Sequence, residues 1–122
     1  MSRDPQRLRD FLSHIAKAIE RIDRYTREMT EVSFMRDEMA QDAVIRNFEV
    51  IGEASHNIEV HHPEFAQQHP ELPLAIAYQM RNAVAHGYFK VDLELLWKTI
   101  GRDLPKLHRQ VHDLLRDIPR HT

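Results

Sequence analysis

Apolar residues recur at steps of three and four along most of this chain, and that spacing admits little except helices packed side by side. Leu8, Phe11, Leu12, Ile15, Ile19, Ile22 and Met29 keep one face of the N-terminal segment apolar, the pattern of an amphipathic helix. The opposite face carries Arg9, Asp10, Lys17, Glu20 and Arg24. Asp4-Pro5 marks the start: Asp caps free amides, and Pro at the first helical position gives up no useful donor. The spacing predicts a first helix from about Pro5 to Glu28.

Thr30-Glu31-Val32-Ser33, rich in β-branched and capping residues, reads as a break. A second helix is expected from Phe34 or Met35 to Glu59, with Met39, Val44, Ile45, Phe48, Ile51, Ala54 and Ile58 as its apolar set. Gly52 falls in its middle, where glycine costs about 1 kcal/mol against Ala. Close approach of another helix would compensate. His61-His62-Pro63 interrupts the pattern, Pro63 to Gln68 forms a short helix, and a further helix is expected from Pro73 to Gly87. Asp92 caps a last helix from Leu93 to Asp117, with the stripe Leu93, Leu96, Ile100, Leu104, Leu107, Val111, Leu114 and Ile118. Pro105 lies inside it and clashes with the carbonyl of Gly101, so a kink is expected there. The predicted fold is all-α: an antiparallel four-helix bundle with a short extra helix and a kinked last helix, one domain spanning residues 1–122.

Charge and composition narrow the partners. The net charge is -2, so no global positive field attracts nucleic acid. RNA contact must come from a local patch or a dimer groove. Cysteine is absent, which excludes a disulfide framework and suits a cytoplasmic location. No apolar run approaches the roughly 20 residues of a membrane span, and the first residues lack a signal peptide's apolar stretch.

One stretch looks built for chemistry: Gln79-Met80-Arg81-Asn82-Ala83-Val84-Ala85-His86-Gly87-Tyr88-Phe89. Ala77, Met80 and Val84 follow a buried stripe. Measured from Ala77 on a helix, Arg81 stands at roughly 40°, Asn82 at roughly 140° and His86 at roughly 180°. Ala85, between them, is too small to fill the space, so the polar groups border a shallow notch. Gly87 suits the left-handed residue that ends a helix, which would turn Tyr88 out of the helical line toward His86. A blander reading is open: Arg and His near a helix C-terminus also complement the dipole.

Arg81-Asn82-x-x-Ala85-His86-Gly87-Tyr88 resembles the Arg-x-x-x-x-His-x-Tyr signature of the HepT-like proteins, toxins of the HEPN class. The resemblance covers most of the chain. Asp42 to Ala54, with its Ile-Gly-Glu-Ala, resembles the family's second helix. Phe89-x-Val91-Asp92-Leu93-x-x-Leu96-Trp97-x-x-Ile100 and Asp103-Leu104-Pro105 resemble the last. Pro73 is followed by Leu74 where the family often carries Trp.

The resemblance implies a metal-independent endoribonuclease toxin in which the 2′-OH of RNA attacks the adjacent phosphate, leaving a 2′,3′-cyclic phosphate and a 5′-hydroxyl. An imidazole is the only group in the cluster that changes protonation near neutrality, so His86 suits acid–base work. Arg81 stays charged and can hold two phosphate oxygens in its planar fork. Asn82 can orient the phosphate or the imidazole. One histidine does not easily serve as both base and acid. The resemblance supplies a homodimer that brings two copies of the motif to one cleft. It also implies a partner, a MntA-like nucleotidyltransferase antitoxin that transfers AMP from ATP to Tyr88. No resident cofactor is implied, and tRNA is one RNA class the family offers. The alternative is a non-catalytic helical regulatory or nucleotide-binding partner of a minimal nucleotidyltransferase.

Metal-ligand spacings occur but do not converge. Glu53-x-x-His56 and Glu59-x-x-His62 each match one element of a di-iron bundle, which needs that element on two facing helices. His108 and His112 have zinc spacing without a clear third ligand. No metal site is expected, and Trp97 and Phe89 read as core or dimer-interface residues.

Overall fold

A computed structural model describes residues 5–85 and 92–118. All regular elements among them are helices: α1 Pro5–Thr26, α2 Glu31–Met35, α3 Glu38–His61, α4 Pro63–Gln68, α5 Leu74–Ala85, α6 Leu93–Arg102 and α7 Leu104–Asp117. None is long and apolar enough to cross a membrane.

The architecture is the all-α bundle expected, with α3 at its centre, packed on α1 and on α5, while α7 also packs on α1. Side-chain contacts fix the directions. Phe11 meets His61 and His62 at one end of the α1–α3 seam, and Arg21 reaches Asn47 at 3.5 Å further along it. Residue numbers rise on one helix as they fall on the other, so the pair is antiparallel. Arg9 donates to the carbonyls of Leu115 and Ile118, and His108 meets Glu20 at 2.8 Å, which makes α1 and α7 antiparallel too.

The α1 stripe reads as predicted: Leu8, Phe11, Leu12, Ile15, Ile19 and Ile22 are all buried. They join Phe34, Val44, Phe48, Ile51, Ile58, Leu96 and Val111 in one apolar core. Met39, counted in the apolar set of the second helix, is 82% exposed. Met39, Arg46, Glu53 and Asn57 lie along one ridge of α3 at steps of seven, seven and four. That ridge stands between the seams with α1 and α5; Met39, Arg46 and Glu53 on it are exposed and Asn57 is half-buried.

Two boundaries differ from the sequence reading. Thr30 is a helix cap and the residues after it are not a break: its hydroxyl accepts from the Ser33 amide at 3.1 Å, and Ser33 returns the bond to the Thr30 amide at 2.9 Å. The resulting turn, α2, seats Phe34 in the core with its ring 5.3 Å from that of Trp97. The next start is Asp37, which accepts from the Ala40 amide at 3.0 Å. Asp92 caps α6 as expected, accepting from the Leu95 amide at 3.1 Å. The anticipated kink is an interruption at Asp103, ahead of Pro105 near the start of α7. Proline has no amide to offer the Gly101 carbonyl.

Candidate active site

Gly52 is the residue that brings α5 to α3. A β-carbon placed on it would collide with the Arg81 side chain and lie 2.8 Å from the Ala77 carbonyl oxygen. Only a glycine admits this approach, as its mid-helix position suggested. The crossing therefore positions Arg81 directly, with the first carbons of its side chain packed over Gly52.

From there the guanidinium is held twice. Nη1 donates to Oδ1 of Asn82 at 2.9 Å, and Nη2 lies 3.4 Å from Oε2 of Glu53. The Arg81 side chain is 30% exposed and that of Glu53 is 53% exposed. An ion pair this open is worth at most about 1 kcal/mol. Its effect is one of direction: the planar fork is fixed at two corners, and its exposed part stays accessible to a phosphate. One turn back along α5, Tyr78 stacks on His56 of α3, ring centres 3.9 Å apart and planes 10° from parallel. The two contacts, 53 with 81 and 56 with 78, set α3 and α5 antiparallel.

Arg81 borders a cavity of about 370 Å³ that reaches α1. Its wall includes His14 from α1 and Arg46, Glu49, Glu53 and Asn57 from α3. Of the predicted site residues, the structure thus joins Arg81 and Asn82. His86 and Tyr88, with Gly87 between them, lie outside the described residues, and so does the side chain of Ala85 that was to form the notch.

Sequence reasoning missed Glu53 as the partner of Arg81. The signal was present: Gly52 marks the crossing, so its neighbour Glu53 stands beside whatever α5 brings there. His14 and Arg46 had no such signal, because the register between α1 and α3 cannot be read from either stripe alone.

The residues with metal-ligand spacing are directed elsewhere. Glu53 points to Arg81, His56 to Tyr78, and His62 is buried against Phe11. His108 and His112 stack with centres 6.1 Å apart. Among the described residues no three His, Asp or Glu side chains are grouped to hold a metal ion.

Residues 15–114 match the model of a protein family described as HepT-like, ribonuclease HepT-like. A Thermococcus cleftensis protein named "Probable ribonuclease HepT" is 46% identical over 99 residues, 81% of this chain and 87% of the relative. A Methanocaldococcus jannaschii protein, named as a gamma-glutamylcyclotransferase and candidate RNase, is 36% identical over 88% of this chain and 47% of its own length. A candidate RNase of Caldanaerobacter subterraneus is 31% identical over 88% of this chain and 94% of the relative. No solved structure gives a significant match.

Proposed function

Because this chain belongs to the HepT-like ribonuclease family, we infer that it is an endoribonuclease and that Arg81, Asn82 and His86 form its catalytic group. The observation that carries this reading is the fixed guanidinium of Arg81, held by Asn82 and Glu53 at the edge of a cavity. A preorganised cation aimed at a phosphoryl oxygen stabilises the charge that builds up there during transfer. His86, five residues on, carries the proton away from the attacking 2′-OH or toward the leaving 5′-oxygen. Asn82 serves by orienting Arg81. RNA supplies its own nucleophile, so the reaction needs no activated protein side chain.

The wider assignment follows the same line: a toxin neutralised when a MntA-like nucleotidyltransferase antitoxin transfers AMP from ATP to Tyr88. The proposed assembly is a homodimer that brings two copies of Arg81 and His86 to one groove. An apolar surface beside the motif helix supports a second copy. Ile76 and Leu95 are 66% and 46% exposed and border a cavity of about 460 Å³ whose wall includes Phe48, Ile51 and Met80. Light scattering at micromolar concentration tests this. A monodisperse monomer removes the composite site.

The decisive assay incubates the purified protein with RNA, with and without EDTA, and examines the ends produced. Cleavage that persists in EDTA and leaves 2′,3′-cyclic phosphate is the expected result. A metal requirement or 3′-hydroxyl products would overturn the mechanism. Absence of any cleavage by the isolated protein would favour the alternative, a helical regulatory partner of the nucleotidyltransferase.

A further inference from the structure

The exposed side of α1 that borders the α3 seam is basic. His14, Lys17 and Arg21 recur at steps of three and four, all exposed, with Arg24 one turn further. Two carboxylates border them and both are engaged: Asp10 accepts from Gln6 at 2.9 Å, and Glu20 meets His108 at 2.8 Å. Arg21 leans onto α3, where its Nη1 lies 3.5 Å from Asn47 Oδ1. Arg46, beside Asn47, lines the same cavity as His14 and Arg81. In a chain of net charge -2 this is a local concentration of cations, adjoining the guanidinium that faces the scissile phosphate in the reading above.

We propose that the seam between α1 and α3 is the track for RNA flanking the cleavage point, with Arg46 and Arg21 meeting backbone phosphates and the cavity between Arg46 and Arg81 holding a nucleoside. The inference rests on the ribonuclease reading. Arg46 stands seven residues before Glu53, the partner of Arg81, hence about 10 Å along α3. Two long guanidinium side chains over that distance reach phosphates one or two nucleotides apart. A cavity of about 370 Å³ lies in the range of sites for small organic molecules, roughly 300–1,000 Å³.

The two carboxylates in the wall agree with this division. Glu53 is engaged with Arg81. Glu49 is partly buried in the same cavity, where it repels a phosphate and accepts a hydrogen bond from a ribose 2′-OH or a base amino group. The phosphates therefore belong at the two arginine rims and the sugar and base between them. A 2′-OH contact distinguishes RNA from DNA.

The test uses the full chain carrying His86→Ala, so that RNA is bound and not consumed, with a fluorescent single-stranded RNA of about 12 nucleotides. Arg21→Ala and Arg46→Ala together should weaken binding about tenfold at moderate salt and lower the salt slope of log K by about 1.4, two phosphates at about 0.7 each. Lysine at both positions should restore the slope. In the same His86→Ala chain, a DNA of the same sequence should bind more weakly, and Glu49→Ala should narrow that difference. Circular dichroism checks that the variants remain folded. An unchanged slope in the double alanine variant, or no RNA binding by the parent, overturns the track. So does loss of binding to the neighbouring nucleotidyltransferase with RNA affinity intact, which would make this face a protein-docking surface. Cleavage by the protein with an unchanged slope would leave the ribonuclease reading standing and remove the track alone.

Discussion

Gly52 and Arg81 occupy one another's space: a β-carbon on the glycine would sit where the arginine side chain begins. One contact between α3 and α5 therefore serves both the packing of the two helices and the placement of the candidate phosphate ligand.

Gly52→Ala separates two opposed effects. Helix propensity favours alanine by about 1 kcal/mol. Overpacking at the crossing costs about 1–3 kcal/mol and displaces Arg81. Urea denaturation should show net destabilisation, and RNA cleavage should fall further than stability explains. A stabilised, fully active Gly52→Ala protein would show that α5 does not rest on this residue.

Glu53→Gln keeps the shape of the side chain and removes its charge. The pair it forms with Arg81 is open to solvent, so stability should change by less than about 1 kcal/mol. The cleavage rate should drop by about tenfold, because a guanidinium held at one corner is less well placed. Equal rates for the two proteins would make Glu53 a neighbour without a part in orienting Arg81.

For His86→Ala, loss of proton transfer should reduce cleavage by about 10²–10⁴-fold with helical content unchanged. Arg81→Ala should do nearly the same. Rates from end-labelled RNA, alongside far-ultraviolet circular dichroism, check both. Substantial cleavage by His86→Ala protein would shift the acid–base role to another residue, with His14 the first to examine because it borders the cavity beside Arg81.

Tyr88→Phe should retain most ribonuclease activity and lose the AMP adduct when the protein is incubated with ATP, Mg²⁺ and its neighbouring nucleotidyltransferase. AMP on that hydroxyl would bring an anionic phosphate and a purine to the motif, excluding RNA by charge and by bulk. Mass spectrometry locates the adduct. Neutralisation that persists in the Tyr88→Phe protein would point to inhibition by complex formation alone.

Much of the fold was legible because helical spacing is a strong signal where one face is buried. The α1 stripe, the Asp92 cap, the interruption ahead of Pro105 and the close approach at Gly52 all follow from local physics. Met39 misled because α3 packs on two sides. Its apolar positions spread so widely round the helix that the narrow exposed ridge is not apparent from the sequence. Thr30 misled because the same residues suit a loop and a cap, and the choice depends on whether Phe34 finds a core to enter. At the site, Arg81 with Asn82 was recognisable from spacing and resemblance. The contribution of Glu53 required knowing which turn of α3 faces α5, and that of His14 required the register of α1, a relationship between segments about 40 residues apart that no local pattern encodes.

The interruption at Asp103 lets the last helical segment serve two supports. α7 lies along α1, tied near its ends by Arg9 and His108, while α6 turns to α2, where Trp97 meets Phe34. The segment 86–91 consequently joins two separately mounted posts: α5, seated on α3 through Gly52, and α6, braced by the five-residue α2. The seat of α6 on α2 is an aromatic contact that carries no charge and involves no candidate site residue. Trimming Phe34 would therefore loosen the seat of α6 without touching any candidate site residue, making α2 a remote support of the helix that follows the motif.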